Sequence, residues 1–138
     1  MAIEVFEGDS PKRYEVWVDE KSKSFSFKYD NKPILVNVDA DRTLLAEIND
    51  EKSIENLAHL YKVGKKYEDR REAIEGLANQ QTNAMAFKTL EAALKDAYYD
   101  LRIMALENID LVNNDEKKAV KTIENMAAND EKTLVKAK

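Results

Sequence analysis

Apolar residues alternate with polar ones up to about Asp50 and recur at helical spacing beyond it. Tyr14, Val16 and Val18 alternate with Glu15 and Trp17, the pattern of a two-sided strand. Phe25, Phe27 and Tyr29 alternate with Ser24, Ser26 and Lys28, which predicts a half-buried strand after a polar turn at 19–22. Pro33 punctuates the chain before a third strand over Ile34–Val38. Thr43–Ile48 is read as another strand, and residues 2–6 as a short edge strand. Such a sheet, carrying Trp17, Phe25 and Phe27, has faces to cover, and no second sheet is encoded. Either helices cover one face or the segment is the remnant of a larger sandwich; the low strand count favours the remnant.

From Ser53 the apolar positions follow a period near 3.6. Ser53 is placed to N-cap a helix with the stripe Ile54, Leu57, Ala58 and Tyr61, and Gly64 to stop it. Asp69 with Glu72 reads as a capping-box variant opening a second helix with Ala73, Ile74, Leu77 and Ala78 inward. Thr82 or Asn83 starts a third, along Phe87, Leu90, Ala93, Leu94 and Ala97. Tyr98, Leu101, Ala105 and Ile109 mark a fourth. Asn114 or Asp115 begins a fifth, with Ala119, Val120, Ile123 and Ala127 apolar, and a last helix starts after Asn129-Asp130.

These helices repeat. Arg70-x-x-Ala73-Ile74-x-x-Leu77 matches Arg102-x-x-Ala105-Leu106-x-x-Ile109 at an offset of 32 (102 − 70). Asp96-x4-Leu101-Arg102 matches Asp130-x4-Val135-Lys136 at an offset of 34 (136 − 102). A period of this size with two helices per unit predicts stacked helical hairpins. The Asp, aliphatic, Arg/Lys spacing is similar to the second helix of HEAT-like repeats, with Gly64 where the first unit should carry its Asp. The expected class is α+β: a short antiparallel β segment over 1–50, then an α-solenoid of about two and a half hairpins over 51–138. Because the third unit breaks off within its second helix, the chain is expected to be a piece of a longer protein.

Composition narrows the chemistry. The single His, without Cys, excludes a thiol nucleophile and any zinc site with two imidazoles or a thiolate from this chain. A net charge of −5, with no dense Lys/Arg stretch, argues against a nucleic-acid partner. No apolar run approaches the roughly 20 residues that span a bilayer. Glu55 and His59 stand four apart on a helix but lack a third ligand, so a structural His is the better reading. Asp39-x-Asp41-x-Thr43 has Leu44 where a calcium loop needs Gly and reads as a turn. The pairs Glu68-Asp69 and Asp115-Glu116 fall at helix starts, where they favour the dipole rather than acid–base work. The candidate interaction surface is Trp17 with Arg70, Arg71 and Arg102. Trp17 is out of phase with Val16 and Val18, and the arginines either line a groove for a substrate carboxylate or bond the preceding hairpin's Asp.

Two segments carry a family resemblance. Lys32–Asp39, preceded by Phe25–Tyr29, resembles the closing strands of the small β-sandwich in membrane-alanyl-type zinc aminopeptidases. Asp69–Ile74 and Tyr99–Leu106 resemble the helical repeats that follow it, especially in bacterial members, and Val135-Lys136-Ala137 the next repeat's start. The resemblance spans residues 14–138. It implies a parent that removes N-terminal residues from peptides, with zinc held by two His and a Glu in a catalytic domain that has no counterpart here. This chain would then be non-catalytic and carry no cofactor. Its partners would be the parent's catalytic domain, within the same chain, and the peptide substrate whose chamber it walls. The alternative from a different class is a stand-alone HEAT-like scaffold that binds a protein along its concave face.

Overall fold

A computed structural model describes residues 1–46, 48–112 and 117–138. Three strands form an antiparallel sheet in the order β2-β1-β3, with β1 Ala2–Phe6, β2 Pro11–Glu15 and β3 Leu35–Val38. The segment read as a short edge strand is therefore the central one. Ala2, Ile3, Val5 and Phe6 are all buried, which is what a strand with neighbours on both sides and cover on both faces requires. Pairing also corrects the second strand. Its ladder runs from Phe6↔Pro11 to Ala2↔Glu15, and one more backbone exchange joins Val16 to Met1. The pairing ends at Val16, and Trp17 and Val18 lie outside the sheet.

Phe25–Tyr29 is not a strand, although its burial alternates as expected, with Phe25, Phe27 and Tyr29 half-buried. Side-chain contacts hold it: the Phe27 and Tyr29 rings lie 4.3 and 6.4 Å from that of Tyr14. Thr43–Ile48 is likewise not a strand over its described residues, Glu47 lying outside them. Asp39 folds this segment back, accepting from the Thr43 hydroxyl at 3.1 Å and the Leu44 amide at 2.9 Å. Asp39 and Arg42 both adopt positive φ, near 51° and 53°, conformations a strand does not use.

The helical part contains α1 Ile54–Val63, α2 Tyr67–Leu77, α3 Ala84–Ala93, α4 Tyr99–Asn108, α5 Lys117–Asn129 and α6 Thr133–Lys136. Residues 64–66, 94–98 and 130–132 connect α1 to α2, α3 to α4 and α5 to α6. Such short loops make each pair neighbours. Across pairs, α1 lies against α3, α2 against α4, and α4 against α6. Ser53 caps α1, exchanging bonds with Asn56 in a capping box, and Asn83 caps α3. Asp69 does not cap α2. The cap position is Lys66, and Asp69 sits inside the first turn with its carboxylate buried. The proposed start of α5 at Asn114 or Asp115, and the Asp115-Glu116 pair, lie outside the described residues. On α5 Met126 is buried and Ala127 exposed, and after α3 Ala97 is exposed, so both stripes are narrower than expected.

The largest core joins α2 to α6 through Ile74, Phe87, Leu94, Leu101, Ala105, Met126 and Val135. A second cluster ties the sheet to the first helical pair, with Phe6 and Leu35 packed on Leu60 and Ala73. Gln81, in the loop between α2 and α3, is buried. It donates to the Ala78 and Asn108 carbonyls and accepts from the Asp110 amide, fixing the end of α4.

Gly64 makes the tightest turn. A Cβ there would lie 2.6 Å from the Leu60 carbonyl oxygen and 2.8 Å from the Asp69 Cβ. The first obstacle is backbone and cannot rotate away. Gly64→Ala is expected to lower stability by about 1–3 kcal/mol. A urea midpoint unchanged from the parent chain would contradict that close approach.

Candidate interaction surface and its ion pairs

Each connection into α2, α4 and α6 has an equivalent position two residues before the helix cap: Gly64, Asp96 and Asp130. The two aspartates do the same work. Asp96 accepts from the Tyr98 amide and Asp130 from the Lys132 amide, both through Oδ1, satisfying donors at a helix entry that has no side-chain cap. Each also receives an arginine from the preceding helical pair. Arg70 lies 3.2 Å from Asp96, and Arg102 donates to both oxygens of Asp130 at 2.9 and 2.7 Å. Arg102 further donates to the Asp96 and Ala97 carbonyls, so one guanidinium bridges two connections. The arginine thus reaches the following aspartate, not the preceding one.

A third pair of this kind joins the β segment to the helices. Arg42 donates to Asp69 at 3.0 and 2.8 Å and also bonds Glu72, which in turn accepts from Lys52 at 2.7 Å. Sequence reasoning missed Arg42 and Lys52. Spacing alone could have found Arg42, since Arg42 to Asp69, Arg70 to Asp96 and Arg102 to Asp130 span 27, 26 and 28 residues.

Trp17 stands apart from the arginines. It is 77% exposed, at the end of the sheet where β1 begins and β2 and β3 finish. With Met1, Val18, Val38, Leu44 and Ile48 it lines an apolar recess of about 460 Å³, and Leu45 beside it is fully exposed. Together these side chains form a contiguous exposed apolar patch. Arg70 is held between Asp96 and the Tyr98 ring, 5.1 Å from its centroid. Arg71 is exposed and pairs with Glu75 one turn on at 2.8 Å. Arg102 is 8% exposed and fully engaged. The three arginines therefore do not converge on one groove.

The remaining candidates fall to structural roles. His59 meets the Gly8 carbonyl at 3.1 Å and packs edge-on against Phe6. Asp41 pairs with Arg13 and Lys66. Among the described residues no three His, Asp or Glu side chains converge to hold a metal. No helix of the described residues is long and apolar enough to cross a membrane. Comparison with protein-family models, curated proteins and solved structures gives no match for this chain.

The ion pairs set the acid sensitivity. The Arg102 hydrogen bond holds the Asp130 carboxyl below its ordinary value, against the opposing effect of desolvation. At Glu72 burial pushes upward, but bonds from Lys52 and Arg42 outweigh it and the net shift is down. A carboxylate whose folded pKa is lowered stabilises the fold fully above its unfolded value. That stability is lost as pH falls through the unfolded value toward the folded one. Stability is thus expected to fall below about pH 5. Asp130→Asn should shallow the acid limb of a Tm-versus-pH curve, and an unaltered slope would contradict the assignment.

Proposed function

We propose that this chain is a non-catalytic C-terminal part of a zinc aminopeptidase-like protein, comprising the end of a β-sandwich and the first hairpins of a HEAT-like solenoid. The parent would hydrolyse N-terminal residues from peptides. In it, this region would be a structural body and one wall of the substrate chamber. The observation that carries this reading is the exposed apolar recess around Trp17, on a three-stranded sheet directly joined to stacked helical pairs. An exposed apolar patch of Trp17, Leu44, Leu45 and Ile48 at the end of the sheet supports a surface made to be covered, and the parent's catalytic domain is the proposed cover. The Arg–Asp bond between successive pairs supports the solenoid, since each unit is registered on the next. A stand-alone protein-binding scaffold is the second reading.

The purified 138-residue chain is expected to release no anilide from aminoacyl-anilides, with or without added zinc. Turnover by this chain that a chelator abolishes would overturn the non-catalytic assignment.

A further inference from the structure

A second surface lies between α1 and α3, lined by none of the residues of the Trp17 recess, and the proposed function makes no use of it. Ala58, Tyr61 and Lys62 from α1 face Ala84, Met85, Lys88, Thr89 and Ala92 from α3 across a trough of about 520 Å³. The α3 positions 85, 88, 89 and 92 form one helical stripe, and the alanines leave the floor low. Tyr61 makes a fixed wall, because its hydroxyl donates to the buried Asp96 at 2.9 Å. Thr89 is already satisfied, donating to the Met85 carbonyl at 2.8 Å, so the floor offers little to a polar ligand. Met85 is 45% exposed at the rim, an adaptable apolar contact.

The rim is cationic. Lys62 and Lys88 border the trough, and Lys88 with Ala92 continues into a smaller depression lined by Lys95, Lys118 and Glu91. Lys118 pairs with Glu91 at 3.3 Å, and Lys62 reaches Asp9 at 2.7 Å. Four lysines against two carboxylates leave a local charge of +2 (4 − 2) on a chain whose net charge is −5. An open apolar trough with a basic rim, on an acidic protein, favours an occupant by charge as well as by apolar contact.

We propose that this groove binds a short acidic peptide segment of another protein. One apolar side chain sits on the floor between Ala58 and Ala92, and flanking carboxylates face Lys88 and Lys95. A recess of this size takes a side chain rather than a bilayer surface, and too few cations line it to follow a phosphate backbone.

The test uses a fluorescein-labelled twelve-residue probe, with Leu-Phe at its centre and Glu and Asp on both sides, titrated with the 138-residue chain at low salt. Saturable binding that weakens as salt is added is expected. Lys88→Glu with Lys95→Glu should weaken it about tenfold or more. Ala92→Trp, which fills the trough, should abolish it, as should replacing the probe's Leu-Phe by Ser-Ser. Lys88, Ala92 and Lys95 are all exposed, and thermal melts of the variants serve to check the fold. The proposal is overturned if the variants bind as tightly as the parent chain or a Lys-for-Glu probe binds equally well. It is equally overturned if the probe shows no saturable binding, and vesicles of anionic phosphatidylglycerol binding in its place would assign the groove to a membrane surface.

Discussion

Replacing Arg102 by Ala is expected to destabilise the fold by about 3–5 kcal/mol. The guanidinium and its partner Asp130 are both nearly buried, and Arg102 also satisfies the Asp96 and Ala97 carbonyls. Truncation strands a desolvated carboxylate and leaves two carbonyls without this donor, and both effects act in the same direction. Asp130→Ala should cost nearly as much, since it strands the cation and removes the acceptor for the Lys132 amide at the entry to α6. The paired change Arg102→Met with Asp130→Leu should recover much of the loss, because no unpaired charge is left behind. The exposed pair Arg71–Glu75 is the internal control, where Arg71→Ala should change stability by only about 0–1 kcal/mol. Urea unfolding of the four variants decides the matter. A loss at Arg102 no larger than that at Arg71 would show that the buried pair does not register α4 on α6.

Phe6→Ala is expected to cost about 3–5 kcal/mol and to lower the melting of the sheet and of the helices together. Phe6 lies on the central strand, is 4% exposed, and packs with Leu35 against Leu60 and Ala73. The Arg42 bond to Asp69 crosses the same junction. With a shared core and a shared ion pair, sheet and first helical pair should unfold in one step. Far-ultraviolet circular dichroism follows the helices, and the fluorescence of Trp17, the single tryptophan, just past the end of β2, follows the sheet. Two separated transitions, with the helical one unmoved by Phe6→Ala, would contradict a common core.

The helices were legible because their signals are local. Ser53 and Asn83 are short polar residues at the start of periodic stripes, and each caps the helix it announces. The Asp96 and Asp130 equivalence was legible as a spacing, although its geometry was reversed: the arginine reaches forward to the next connection. The sheet was less legible because strand identity depends on what pairs with what. Residues 2–6 form a run too short to announce a central strand, and only β2 and β3 on either side make it one. Phe25–Tyr29 alternates well yet has no ladder, so alternation reported burial and not pairing. Gln81 escaped notice because it is a loop residue with no period, and its partners Asn108 and Asp110 lie 27 and 29 residues away. Arg42 was findable only through its 27-residue spacing to Asp69, which matches the later Arg–Asp pairs. Trp17 is out of phase with Val16 and Val18, but its 77% exposure depends on its position outside the strand ladder, which the alternation alone does not reveal.

The proposed function makes the Trp17 recess one side of an interface whose other side belongs to a catalytic domain. The most direct measurement is to sequence the genomic DNA flanking the codons for residues 1–138. An open frame that continues upstream into His-Glu-x-x-His with a downstream Glu, and onward past Lys138 into further helical units, is the expected result. In-frame stop codons on both sides, with no zinc-binding motif between them, would contradict it.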